Sequence, residues 1–180
     1  MLNLFKDISP GENPPKDINM VVDIPRDSRN KYEYDEEAGH FKLDRVLYSP
    51  LFFPFEYGFM PQTISEDGDA LDVALISTYP TFSGCVIKVR PIGVLLMQDE
   101  AGTDNKIIAV PLEKIDPRFK EVQEIEDIGE HLKKEIELFL ADYKKLEKGK
   151  YESVKINGWA GKEKAEEIIK ESIKKYEDKD

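Results

Sequence analysis

An α+β fold is predicted from the order of segments. Short apolar or alternating runs fill the chain up to about Pro111, and helical periodicity is confined to the residues beyond it. Strands succeeded by segregated helices imply a small closed or partly closed barrel flanked by C-terminal helices. Ser9-Pro10-Gly11-Glu12-Asn13-Pro14-Pro15 reads as an extended arm before the first strand. Ile18 to Ile24 is that strand, and Lys31 to Asp35 is the second. Glu36-Glu37-Ala38-Gly39 turns the chain into Phe41 to Leu47. Asp72 to Thr78, Cys85 to Met97 and Lys106 to Val110 are further strands, with a bend or bulge expected at Pro91, which cannot donate to a ladder. Ile128, Leu132, Ile136, Phe139, Tyr143 and Leu146 then recur at helical spacing. Lys150 to Ile156 alternates as a last strand broken by Asn157-Gly158, and Lys162 to Tyr176 is a second amphipathic helix with Ala165, Ile168, Ile169, Ile173 and Tyr176 inward.

Composition narrows the functional classes. A chain of 180 residues reads as one domain, residues 1–180, with room for a substantial core. The net charge of -11 argues against a nucleic-acid binder, which needs a basic surplus to meet phosphates. Cys85 is the only cysteine, so no internal disulfide can form. Met1 to Asp7 lacks a secretory apolar stretch and no apolar run could span a bilayer, so no membrane is expected and cytoplasm is the default.

Two acidic loops carry the chemistry. Glu66-Asp67-Gly68-Asp69-Ala70-Leu71-Asp72 and Asp99-Glu100-Ala101-Gly102-Thr103-Asp104-Asn105-Lys106 each gather carboxylates around a glycine. Such carboxylates repel one another and call for protons or cations, and Mg²⁺ suits oxygen ligands while keeping room for phosphate. Alone, Asp67-Gly68-Asp69 also reads as a hairpin turn, since Asp-Gly favours positive φ. Asp72 shifts the weight, because it opens the apolar strand Val73-Ala74-Leu75-Ile76 and needs a partner there. Asp99 to Asn105 could likewise be a solvated hairpin loop, yet it too comes after an apolar strand, so both loops could meet at one barrel mouth. The calcium EF-hand is excluded, because the sixth position from Asp67 is Asp72 where glycine is required and the twelfth is Thr78 where glutamate is required.

Basic residues opposite those loops would suit phosphate. Lys31 and Glu33 share a strand face, with Tyr32 and Tyr34 on the other, and Arg45 lies on the next strand of the same hairpin. An ordinary cross-strand charge pair is the plain alternative, and phosphate clamping the functional one. Tyr143 falls on the apolar helix stripe, where core packing is the commoner role, and Lys144 on its flank can reach a cleft or water. His40 and His131 are too few for a zinc site and are expected to be exposed. The glycines of Gly158-Trp159-Ala160-Gly161-Lys162 are too closely spaced for a phosphate-binding loop, so a strand-to-helix turn is expected.

These residues together resemble a known family. Lys31-Tyr32-Glu33, Asp44-Arg45, Tyr57-Gly58, Glu66 to Val73, Arg90-Pro91-Ile92-Gly93-Val94, Asp99 to Lys106 and Tyr143-Lys144-Lys145-Leu146-Glu147 occur in the order seen in the family I soluble inorganic pyrophosphatases of bacterial type. The resemblance implies an OB-like five-stranded closed β-barrel with flanking C-terminal helices, which hydrolyses pyrophosphate with several Mg²⁺ ions. It implies that Asp67, Asp72 and Asp104 hold the metal pair bridging the attacking water, that Asp99 joins Asp104 at a substrate-borne metal, and that Glu33 holds another. Asp69 resembles the general base, and Lys31, Arg45, Tyr57, Lys106, Tyr143 and Lys144 the phosphate contacts. An organic or nucleotide diphosphate remains the alternative substrate. Phe53 stands where many relatives carry a tyrosine near the active site, and Asp23 where a glutamate is usual. The chain's length resembles that of relatives that assemble as hexamers, and Leu51-Phe52-Phe53-Pro54-Phe55 is too apolar to leave in water if it lies outside the core.

Overall fold

The computed structural model describes residues 2–149 and 151–179. Among them, strands β1 (Ile18–Ile24), β4 (Glu56–Met60), β5 (Leu71–Leu75), β6 (Val86–Asp99), β7 (Gly102–Thr103), β8 (Lys106–Pro111) and β9 (Lys155–Gly161) form a seven-stranded sheet. Strands β2 (Asn30–Asp35) and β3 (His40–Val46) form a separate hairpin. Helices α1 (Glu130–Asp142) and α2 (Lys162–Glu177) complete the α+β arrangement. The ladder runs β1-β4-β5-β8-β6, and β6 pairs back with β1, so these strands are hydrogen-bonded in a ring.

The strands of the ring are largely apolar and buried, β8 throughout, while β6 is exposed at Val86 and Gln98. Alternate residues feed two clusters. Ala74, Ile108 and Val110 join Ile136, Phe139 and Leu140 of α1, while Val73, Leu75, Ile107 and Ala109 join Ala165 and Ile169 of α2. Each such large side chain stabilises by about 1.5–3 kcal/mol relative to exposure, so the helices hold the sheet from both sides. The long strand β6 pairs with β1, β8, β7 and β9 in turn. Its register against β8 slips between Pro91 and Gly93, the bulge expected from the proline.

Several elements depart from the sequence expectation. Strand β4 carries no strand signal of its own, because Phe59 and Met60 continue an apolar run around Gly58 without alternation. Gly58 is required there: a Cβ would lie 1.9 Å from the Val21 carbonyl oxygen across the β1–β4 ladder. The N-terminal arm is not extended; Asn19 binds it back, donating its backbone N–H to Pro10 O at 2.8 Å and its side-chain amide to Ser9 O at 3.0 Å. Helix α1 stops at Asp142, and Leu146 is 62 % exposed, because the chain turns after Tyr143 to bring Lys144 toward the second acidic loop. Of the strand expected from Lys150, that residue lies outside the described ones, and Tyr151–Ser153 is a 3-10 turn. The strand runs instead from Lys155 through Asn157-Gly158, where a positive φ at Gly158 and a register slip make a bulge and not an end. Gly161 then caps α2, as the expected strand-to-helix turn requires. No helix among the described residues is long and apolar enough to cross a membrane.

Candidate active site

The two acidic loops meet the β2–β3 hairpin and the turn after α1 around one cleft of about 670 Å³. Asp67, Asp69, Asp72, Asp99, Asp104 and Glu33 line it, as do Lys31, Arg45, Tyr57, Lys106, Tyr143 and Lys144. Every site residue expected from the sequence is therefore brought to one place.

Local chemistry fixes the first loop. The Asp69 N–H donates to Asp67 Oδ1 at 3.1 Å, Ser65 N–H donates to Asp69 O at 2.7 Å, and Gly68 supplies a positive φ. Buried Thr63 anchors its base, accepting from Leu71 N–H at 3.0 Å and donating to Met60 O at 2.6 Å. Asp-Gly-Asp is thus both a turn and a wall of the cleft. In the second loop, β7 pairs back on β6, Ala101 N–H donates to Asp99 Oδ1 at 2.8 Å, and Asp104 N–H donates to Met97 O at 3.0 Å. The hairpin aims Asp99 and Asp104 at the cleft.

The cations sit among these carboxylates. Lys106, only 3 % exposed, pairs with both Asp72 and Asp104 and lies 5.5 Å from the Tyr57 ring centre. Burial works against its charge, but Asp72, Tyr57 and Asp104 outweigh it and hold the ammonium protonated. Lys144 pairs with Asp99 at 2.8 Å and Glu100 at 3.1 Å. Lys31 pairs with Glu33, as strand spacing requires, and lies 3.6 Å from Asp44. Tyr34 packs against Phe41 and Phe59, and its hydroxyl accepts from Leu4 N–H at 2.8 Å. Tyr143 is both core and cleft: its ring stacks on Phe139 with centres 5.2 Å apart while it lines the site. His40 and His131 are exposed.

The negative charge is not fully compensated. Partial burial, then Asp67, Asp72 and Glu33, push the Asp69 carboxyl above its ordinary range. Asp104 is pushed up to about 6, first by burial and then by Asp72 and Asp99 against the pull of Lys106. The acids lining the cleft outnumber its bases, which favours a cation there, and the donors are hard oxygens of the kind Mg²⁺ takes. The donor chemistry fits. Among the described residues no three acidic, imidazole or thiol side chains are already gathered for an ion, since the Lys106 ammonium stands between Asp72 and Asp104.

The profile described as inorganic pyrophosphatase matches residues 20–177. The chain belongs to the inorganic pyrophosphatase family. It is 49 % identical over 168 residues to the inorganic pyrophosphatase of Sulfolobus acidocaldarius, covering 93 % of this chain and 96 % of that one. To the inorganic pyrophosphatase of Thermus thermophilus it is 46 % identical over 176 residues, covering 98 % and 99 %. The crystal structure of the Thermus thermophilus inorganic pyrophosphatase superposes with a TM-score of 0.93 at 45 % identity, covering 98 % and 99 % of the two chains.

Phe53 and Asp23, where the resemblance leads one to expect a tyrosine and a glutamate, have different surroundings. Phe53 is 2 % exposed behind the cleft, its ring 4.6 Å from Phe139, 5.8 Å from Tyr57 and 6.3 Å from Tyr143. It is packing for the cleft wall and does not line it. Asp23 does line the cleft, and its Oδ1 is buried without a hydrogen-bond partner. Burial, Asp72 and Glu33 raise this carboxyl well above its ordinary range, with Lys31 opposing. Sequence reasoning misses Asp44, Glu100 and Glu147, which pair with Arg45 and Lys31, with Lys144, and with Arg45. Adjacency to Arg45 and to Asp99 is the available signal for the first two. Glu147 belongs to a marker of the resemblance, but nothing local points to its partner, which lies 102 residues away.

Proposed function

We propose that this protein hydrolyses inorganic pyrophosphate to two orthophosphates, with Asp69 as the general base. The convergence of both acidic loops and the basic residues on one cleft carries this reading, together with family membership. Asp67, Asp72 and Asp104, with Asp99 and Glu33, would hold several Mg²⁺ ions, which when bound neutralise substrate charge and make a water acidic enough to attack. Lys31, Arg45, Tyr57, Lys106, Tyr143 and Lys144 donate to the phosphate oxygens and hold the substrate in line. Asp69 takes the proton of the attacking water as its oxygen bonds to one phosphorus. The bridging bond breaks, and the second phosphate leaves with the electron pair. An upward-shifted carboxyl at Asp69 supports the role, since a base works best when its pKa approaches the working pH.

The same reading takes residues 1–180 as one cytoplasmic domain and the ring of strands as the OB-like closed barrel, assembled as a homohexamer. Phosphate release from pyrophosphate, from ATP and from other organic diphosphates, with and without Mg²⁺, tests the activity. Pyrophosphate should be cleaved fastest, and only with the metal. Faster cleavage of an organic diphosphate would replace this reading with an organic or nucleotide diphosphate hydrolase.

A further inference from the structure

Glu147 lies in the tight turn after α1, where its N–H donates to Lys144 O at 2.8 Å. The turn carries it inward, and only 7 % of it is exposed. A carboxylate at that depth requires a strong partner. Its Oε1 accepts from Arg45 Nε at 3.0 Å and its Oε2 pairs with Arg45 Nη2 at 2.9 Å. Two parallel bonds of this kind fix a guanidinium in both position and plane, which a single contact cannot do. Arg45 lines the cleft, whereas Glu147 stands outside its lining. The fork therefore grips the Nε–Nη2 edge of the guanidinium, while Nη1 pairs with Asp44 of the hairpin itself. Arg45 belongs to the β2–β3 hairpin, which shares no ladder with the main sheet, and Lys144 occupies the same turn as Glu147. One carboxylate thus ties two walls of the cleft together.

We propose that Glu147 is a positioning residue that aims Arg45 at the substrate phosphate and locks the hairpin to the turn carrying Lys144. The proposal rests on the pyrophosphate reading. Its test is a cycle of four proteins: wild type, Glu147→Gln, Arg45→Gln and the double variant. KM and kcat for pyrophosphate are measured with Mg²⁺, and binding of methylenediphosphonate by calorimetry. Glu147→Gln should raise KM about tenfold, the size of a lost charge-assisted contact, with kcat changed by less than about threefold. In the Arg45→Gln background the same substitution should add less than about twofold. An equal loss in both backgrounds, or an unchanged KM, would overturn the proposal. If Glu147→Gln does not fold, Glu147→Asp, which keeps the charge but withdraws it by one methylene, takes its place in the cycle. A wild type that binds methylenediphosphonate but cleaves no pyrophosphate would refute the hydrolase reading alone. The binding cycle would then still decide on Glu147.

Discussion

Asp69→Asn keeps the shape of the side chain and removes its basicity, so the variant should fold while turnover falls roughly 10²–10⁴-fold. A steady-state assay beside a circular dichroism spectrum checks both halves, and near-wild-type turnover would remove Asp69 from the role. Asp104 supplies a pH dependence. With its carboxyl raised to about 6, the folded metal-free protein holds this proton more tightly than the unfolded chain does. The ionised group therefore costs stability above that pH, and the cost fades as pH falls toward the ordinary value of about 4. Protons and Mg²⁺ compete for it, so Mg²⁺ affinity by calorimetry should be roughly tenfold weaker at pH 5 than at pH 7.5, a difference that Asp104→Asn should reduce. These residues are legible in the sequence because each acidic loop concentrates its donors within a few positions. Their partners are not: the pairing of Arg45 with Glu147 is made by folding alone.

Among the elements, β4 is the one hidden by its own burial. A strand covered on both faces loses its alternation, and Gly58 looks like a breaker when read in sequence. In the fold it is what lets β1 and β4 approach. Gly58→Ala would drive its Cβ into a backbone carbonyl, which no rotamer change can relieve, so a loss of about 3 kcal/mol in denaturant-induced unfolding is expected. Stability within about 0.5 kcal/mol of wild type would mean that the ladder yields more easily than its geometry suggests. The bulge at Pro91 is legible, because a missing donor has a local effect. The end of α1 is not, since the apolar stripe continues to Leu146 while the pull of Asp99 and Glu100 on Lys144 turns the chain away.

At the scale of the whole molecule, the apolar run from Leu51 to Phe55 divides. Phe53 and Phe55 enter the core, while Phe52 remains 54 % exposed beside Leu138 at 58 %, and both line a shallow recess of about 440 Å³. A hexamer would have a reason to cover that face. Light scattering at micromolar protein, with and without Mg²⁺, should give the mass of six chains, and a stable, fully active monomer would refute the assembly while leaving the chemistry intact. The ion pairs inside the cleft have a consequence of another sort. A polyanion entering alone must pull Lys106 and Lys144 from their carboxylates and strand those acids. A cation entering alone at Asp72 and Asp104 must displace Lys106 from both carboxylates. Arriving together, the two trade partners with the protein in a double exchange that leaves none of these paired groups without a mate. On the proposed reading, the cleft suits the metal and the diphosphate as one neutralised unit, and each should bind more tightly in the presence of the other.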